Sequence, residues 1–278
     1  MTNIIDGKLV ASAIRANIRQ EVEAYKAQTG KEIGLAVVLV GDDPASAIYV
    51  RNKIKACEEV GIKSYSYKYD ADMSEEDLVA LVEKLNVDDS VQGILVQLPL
   101  PKHINEERIV ALVSKDKDVD GFSENSIGRL IQGKPCFRSC TPYGVMKLLE
   151  YYNIDVSGKH AVVIGRSNNV GKPMAMMLLE KNATVTICHS RTKNIAEITK
   201  QADILVSAVG RAHFVTEDMV KEGAVVVDIG MNKLDGKTVG DVDYDNVSKK
   251  TSYITPVPGG VGPMTITMLM ANTLQAVK

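Results

Sequence analysis

The chain has 278 residues, 45% of them hydrophobic and 24% charged, with a formal net charge of -2. That length exceeds the usual size of one hydrophobic core, so two domains or one large α/β domain are expected, and the composition excludes extensive disorder. No run of Lys or Arg is long enough to track a nucleic acid or hold a membrane surface, so the expected partners are small molecules or copies of the chain itself.

The opening stretch "MTNIIDGKLVASAIRANIRQ" lacks a basic segment followed by an apolar one, so no secretory signal is expected. No apolar run approaches the roughly 18 residues of a membrane span. The four cysteines, Cys57, Cys136, Cys140 and Cys188, form no paired metal-ligand spacing. No metal is expected, and a reducing, cytoplasmic setting fits such thiols best.

In chain order, apolar β-rich runs alternate with helical patterns, which predicts parallel sheet with crossover helices. The first series is "IGLAVVLV" (33 to 40), "IKSYSYKYD" (62 to 70) and "VQGILVQLPL" (91 to 100), each followed by a helix candidate. Asp43 and Pro44 supply an N-cap and first-turn proline for the first helix, with Gly61 as its stop; Ser74 with Asp77 resembles a capping box for the next, to about Asn86. A loop-rich region runs from Asp116 to Cys140. Thr141 and Pro142 then open a helix to about Tyr152, before strands at 160 to 165, 184 to 189, 203 to 210 and 224 to 230. Continuous apolar strands are those buried on both faces, so the second half reads as a doubly wound sheet. Two α/β lobes with a cleft between them are expected. The last segment, "GPMTITMLMANTLQAVK", reads as an apolar helix with Pro263 in its first turn, returning to the first lobe.

After the strand ending at Ile164 comes "GRSNNVGKP", with Gly165 at the strand end, Gly171 where a helix begins and Pro173 in its first turn. Backbone N–H groups in such a turn can face an anion. The spacing is neither a P-loop nor GxGxxG, so a plain strand-to-helix turn is the competing reading. The next strand ends in "CHSRT", without the carboxylate that would hold a free ribose 2'-hydroxyl. Ser190 and Arg191, with Arg166 nearby, suit a 2'-phosphate, which favours NADP over NAD; a solvated Arg191 is the alternative.

In the first lobe, Tyr49 and Lys53 are four residues apart and share one helix face. A tyrosine packed beside a lysine stem would account for that spacing alone. Gln97, at the carboxyl end of a strand, and Asp120 in "KDVDGF" can reach the same edge. The short-chain dehydrogenases also use YxxxK, but there the pair follows the nucleotide turn, whereas here it precedes it by more than a hundred residues.

Together "YVRNKIKACEEVGI", "GILVQLPLP", "KDVDGF", "CTPYGV", "VVIGRS", "VGKPMA", "CHSRT" and "TPVPGGVGPMT" resemble the methylenetetrahydrofolate dehydrogenase/methenyltetrahydrofolate cyclohydrolase family, from about residue 4 to the C-terminus. The resemblance implies a folate-binding catalytic domain over 1–140, completed by 263–278, and a Rossmann-like NADP-binding domain over 141–262. It implies a cytoplasmic homodimer that oxidises 5,10-methylenetetrahydrofolate with NADP and hydrolyses the product to 10-formyltetrahydrofolate. By the same resemblance Lys53 is the acid/base or polarising cation, its proton release eased by burial, and Gln97 tunes it. Tyr49 stacks on the pterin and Asp120 accepts from the pterin N–H edge. Pro258, Gly259 and Gly260 let backbone approach the folate. Gly165, Arg166, Ser167, Gly171, Ser190, Arg191 and Thr141 bind the cofactor. Three residues depart from the family pattern: Ala47, where Gln is common, Asn169, where Ile is common, and Ser139, where Pro is common. A different two-lobe NADP oxidoreductase for a small carbonyl compound, and a nucleotide sensor without turnover, are the competing functions; the first would not need Asp120 with the 256 to 263 loop, and intact Tyr49, Lys53 and Gln97 argue against the second.

Overall fold

The computed structural model describes residues 2–278, except for the Ala45 side chain. Its elements are β1 (Asn3–Ile4), α1 (Gly7–Thr29), β2 (Gly34–Val40), α2 (Pro44–Val60), β3 (Lys63–Tyr69), α3 (Glu75–Val87), β4 (Gly93–Val96), α4 (Glu106–Leu112), α5 (Glu124–Ile131) and α6 (Cys140–Tyr151). There follow β5 (His160–Ile164), α7 (Gly171–Glu180), β6 (Thr184–Cys188), α8 (Ile195–Thr199), β7 (Ile204–Ser207), β8 (Val225–Asp228), β9 (Asn232–Leu234), β10 (Lys237–Val239), α9 (Tyr244–Val247), β11 (Tyr253–Ile254) and α10 (Val261–Gln275). The chain forms two compact units: Ala13–Arg138 with Ile266–Lys278, and residues through Ser12 with Ser139–Thr265.

The first of these units holds a three-stranded parallel sheet in the order β3-β2-β4. All seven residues of β2 are buried, as a central strand covered on both faces requires. Ala36, Val38, Leu78, Val82, Leu85, Ile94 and Val96 form its core, with Tyr65, Tyr67 and Tyr69 of β3 packed against it. The ends of α2 follow the sequence signals. The Asp43 carboxylate accepts from the Ser46 amide at 2.7 Å, and Gly61 closes the helix in the left-handed conformation at φ 79°. Ser74 caps α3 through the Asp77 amide at 3.1 Å. Strand β4 is shorter than the apolar run that announces it. Gln97 still donates its amide to Val38 (2.9 Å), but Pro99 has no N–H with which to continue the ladder. The loop-rich region also contains α5, capped by Ser123 through the Ser126 amide.

The second unit carries a six-stranded parallel sheet in the order β1-β11-β8-β7-β5-β6. Its core gathers Val162, Ile164, Leu205, Val226 and Ile254. Strand β5 pairs with β6 on one side and β7 on the other, which puts a topological switch point at its carboxyl end, where open α/β sheets receive ligands. Gly165, just beyond β5, has φ 130°, and a Cβ there would lie 2.5 Å from the Ala208 carbonyl oxygen, so the position admits only glycine.

Candidate active site and cofactor turn

Lys53, in the middle of α2, is only 9% exposed. A buried ammonium requires partners, and its Nζ donates to Gln97 Oε1 at 3.0 Å. The orientation of that amide is fixed from its other end. Gln97 Nε2 donates to the Leu98 carbonyl at 2.5 Å, so only the amide oxygen can face the lysine. Tyr49, one turn before Lys53, is half-buried, and desolvation raises its phenol pKa. Asp120 is close enough for the Lys53 charge to act on its carboxyl. Burial nevertheless dominates and pushes the Asp120 pKa up to about 6, with the Lys53 ammonium drawing it down and Asp118 adding to the rise. The sequence-predicted group of Lys53, Gln97 and Asp120 is therefore brought together.

The loop bearing Asp120 is built by its neighbours. Lys117 donates its ammonium to the carbonyls of Leu85 (2.9 Å) and Asp88 (2.7 Å), and the buried Asp118 carboxylate accepts from the Phe122 and Ser123 amides and the Ser126 hydroxyl. On α10, the fully buried Asn272 donates from Nδ2 to the Val119 carbonyl (2.7 Å) and the Arg138 carbonyl (2.9 Å). Sequence reading gave Asn272 no role. Its signal is an amide within the apolar stretch "MLMANTL", where a polar group needs partners.

At the glycine turn after β5, Gly171 opens α7, and a Cβ on it would lie 2.3 Å from the Gly165 carbonyl oxygen. The turn is tight enough to demand both glycines. Ser167 Oγ accepts from the Val170 amide (3.2 Å) and the Gly171 amide (3.3 Å), which leaves its own hydrogen available to an outside acceptor. Ile164 is in register with Cys188, so Arg166 and Ser167 lie beside Ser190 and Arg191 at one sheet edge, all four exposed. Two guanidinium groups, two hydroxyls and a helix N-terminus form a donor set suited to a nucleotide carrying an extra phosphate. Ser139 donates to the Asn169 carbonyl, so two of the unusual positions meet in one hydrogen bond that ties the turn to the start of α6. Thr141 instead faces Thr265, their hydroxyl oxygens 3.0 Å apart. Ala47 is exposed in the first turn of α2.

In the 256 to 263 loop the glycines serve the chain's own packing. Gly260 is buried, and a Cβ on Gly7 would lie 1.7 Å from its carbonyl oxygen. The Gly7 amide donates to the Gly259 carbonyl at 2.9 Å. Pro258 and Gly259 remain on the accessible side of the loop.

Two family models cover most of the chain: the tetrahydrofolate dehydrogenase/cyclohydrolase catalytic domain matches residues 5–120, and the NAD(P)-binding domain of the same family matches residues 139–278. The chain belongs to the tetrahydrofolate dehydrogenase/cyclohydrolase family. The "Bifunctional protein FolD" of Albidiferax ferrireducens is 58% identical over 274 residues, covering 98% of this chain and 95% of that protein. The crystal structure of the bifunctional enzyme FolD, methylenetetrahydrofolate dehydrogenase/cyclohydrolase, from Campylobacter jejuni superposes with a TM-score of 0.98 at 52% identity, covering 99% of this chain and 98% of the other. A Trypanosoma brucei methylenetetrahydrofolate dehydrogenase-cyclohydrolase, solved with NADP cofactor and inhibitor, superposes at 0.95 with 37% identity, covering 99% and 97%. Within this tetrahydrofolate dehydrogenase/cyclohydrolase, the catalytic-domain match contains Tyr49, Lys53, Gln97 and Asp120, and the NAD(P)-binding match contains the glycine turn.

Proposed function

We propose that this chain oxidises 5,10-methylenetetrahydrofolate to the methenyl form with NADP and then hydrolyses it to 10-formyltetrahydrofolate. The observation that carries this reading is the buried Lys53 ammonium held by Gln97 beside a carboxyl of raised pKa. Membership in the family and the names of the FolD relatives support both activities. NADP supplies the hydride acceptor. When hydride leaves the methylene bridge, the two flanking nitrogens share the positive charge, so this step demands position more than a strong base. Asp120 fixes the pterin by accepting from its N–H edge, and Tyr49 gives it a flat face.

Hydration of the methenyl carbon requires proton transfers. Water adds to that carbon, one nitrogen–carbon bond breaks, and a proton is released overall. Lys53 moves that proton while Gln97 Oε1 keeps the amine aimed, and a positioned acid/base of this kind contributes roughly 10²–10⁴-fold. For the cofactor, Gly165, Ser167 and Gly171 receive the diphosphate, and Arg166, Ser190 and Arg191 the 2'-phosphate. Thr141 steadies the start of α6 beside this turn, and Pro258, Gly259 and Gly260 edge the folate. The working form is a cytoplasmic homodimer; among the described residues no helix is long and apolar enough to cross a membrane.

The test follows the absorbance of the methenyl product with purified protein and either nicotinamide cofactor. Turnover is expected with NADP. Arg191→Ala should raise the KM for NADP by about tenfold or more, the value of a charge-assisted phosphate contact, and leave that for NAD nearly unchanged. Equal losses with both cofactors reject the 2'-phosphate assignment.

A further inference from the structure

Two buried carboxylates, Asp228 (3% exposed) and Asp241 (0%), lie in the second unit and have no part in the chemistry above. Asp241 is saturated. Its Oδ2 accepts from the Ser207 hydroxyl (3.1 Å) and the amides of Val209 (2.7 Å) and Gly210 (3.2 Å), and its Oδ1 from the Arg211 amide (2.9 Å) and Asn232 Nδ2 (3.0 Å). Three successive amides turned onto one anion form a nest, filled here by the chain's own side chain. Asp228 holds Asp241 in place. It accepts from the Asp241 amide (3.0 Å), the Val242 amide (2.9 Å) and the Gly230 amide (2.9 Å). The surrounding glycines are shaped to admit both carboxylates, since a Cβ on Gly230 would lie 2.1 Å from Asp241 Oδ1 and one on Gly240 1.9 Å from Asp228 Oδ2.

The segment gripped by Asp241 leaves β7 at the switch point. In a planar trans peptide the N–H and the preceding C=O point in opposite directions. Amides 209 to 211 turned onto Asp241 therefore turn carbonyls 208 to 210 the other way. The Ala208 carbonyl confirms this sense, since it is the group that abuts Gly165 at the head of the cofactor turn, while the Ala208 amide donates to Ile164 at 2.8 Å.

We infer that Asp241, held by Asp228, is a positioning residue for the cofactor: its carboxylate orients the 208 to 210 peptides so that their carbonyls, and Gly165 against them, line the nucleotide crevice. This rests on the NADP reading above. Titration calorimetry with NADP on the full-length protein tests it. Asp241→Asn, which replaces an acceptor by a donor facing two amides, should weaken NADP binding by about tenfold or more, while cyclohydrolase turnover, whose lysine and glutamine lie in the other unit, stays within about twofold. Ser207→Ala removes one donor to the same carboxylate from a fully buried site away from the crevice, and should weaken binding about threefold; it decides the matter if Asp241→Asn does not fold. NADP affinity unchanged in either folded variant, or a fall in cyclohydrolase turnover equal to the fall in NADP affinity, overturns the role of Asp241. Failure of the unaltered protein to bind NADP overturns instead the cofactor reading on which it rests.

Discussion

Among single residues, Asp120 has the most exposed consequences, because burial holds its carboxyl at about 6 where an ordinary aspartate stands at 3.8. A folded-state pKa above the unfolded one means that the native protein binds the extra proton. Stability from this group is therefore complete below about pH 4 and is lost as pH rises through about 6. The same sign applies to Asp228, also raised to about 6, first by desolvation. The proposed role of Asp120 runs the other way, since accepting two hydrogen bonds from a pterin edge would require the carboxylate. The expected outcome is that kcat/KM for the folate substrate falls tenfold per pH unit below about pH 6. Asp120→Asn should flatten that limb, raise the folate KM and stabilise the protein by on the order of 1–3 kcal/mol above pH 6, measured by denaturant unfolding. A limb that persists in the variant assigns the titration elsewhere. The Tyr49–Lys53 spacing was legible in sequence because a helix repeats every 3.6 residues, whereas the burial of Lys53 came only from the family resemblance, because burial is set by what packs over α2.

Elements divide by length and by the range of their contacts. The buried strands β2, β5, β7 and β8 and the capped helices α2 and α3 could be read from the sequence, since apolar runs and capping residues act within a few positions. Strands β1 and β11, two residues each, have no periodicity to display; they exist because each pairs with a neighbour far away in sequence, as in Asn3 with Tyr253 and Tyr253 with Val225. The short α5 was hidden in a polar, glycine-containing region, where only its Ser123 cap marked it. Helix α10 was legible as an apolar segment, yet the use of Asn272 inside it depends on two carbonyls more than a hundred residues away. Asn272→Leu keeps the branched outline of the side chain and removes both donated hydrogen bonds, which should cost about 1–3 kcal/mol and lower Tm by several degrees. It should also raise the folate KM, because the Val119 carbonyl it holds adjoins Asp120. A variant with reduced Tm and an unchanged KM would restrict Asn272 to stability.

For the whole molecule, the two proposed activities place unequal demands on the chain. In the proposed mechanism, oxidation draws on both the nucleotide-binding and the folate-facing residues, whereas hydration of the methenyl carbon draws on the lysine, its glutamine and a fixed pterin. The family could be identified in sequence because its motifs are local and ordered along the chain. The Asp228–Asp241 pair was not legible, since Asp228 falls within the predicted strand at 224 to 230 and "GDVD" carries no signal of its own until the fold buries both carboxylates against the β7 loop. The most direct test of the central claim is Lys53→Met, assayed for both activities alongside calorimetry with NADP. Methionine keeps the buried stem and removes the amine, so cyclohydrolase turnover should fall by about 10²-fold or more with NADP affinity intact. Cyclohydrolase turnover equal to that of the unaltered protein would contradict the account.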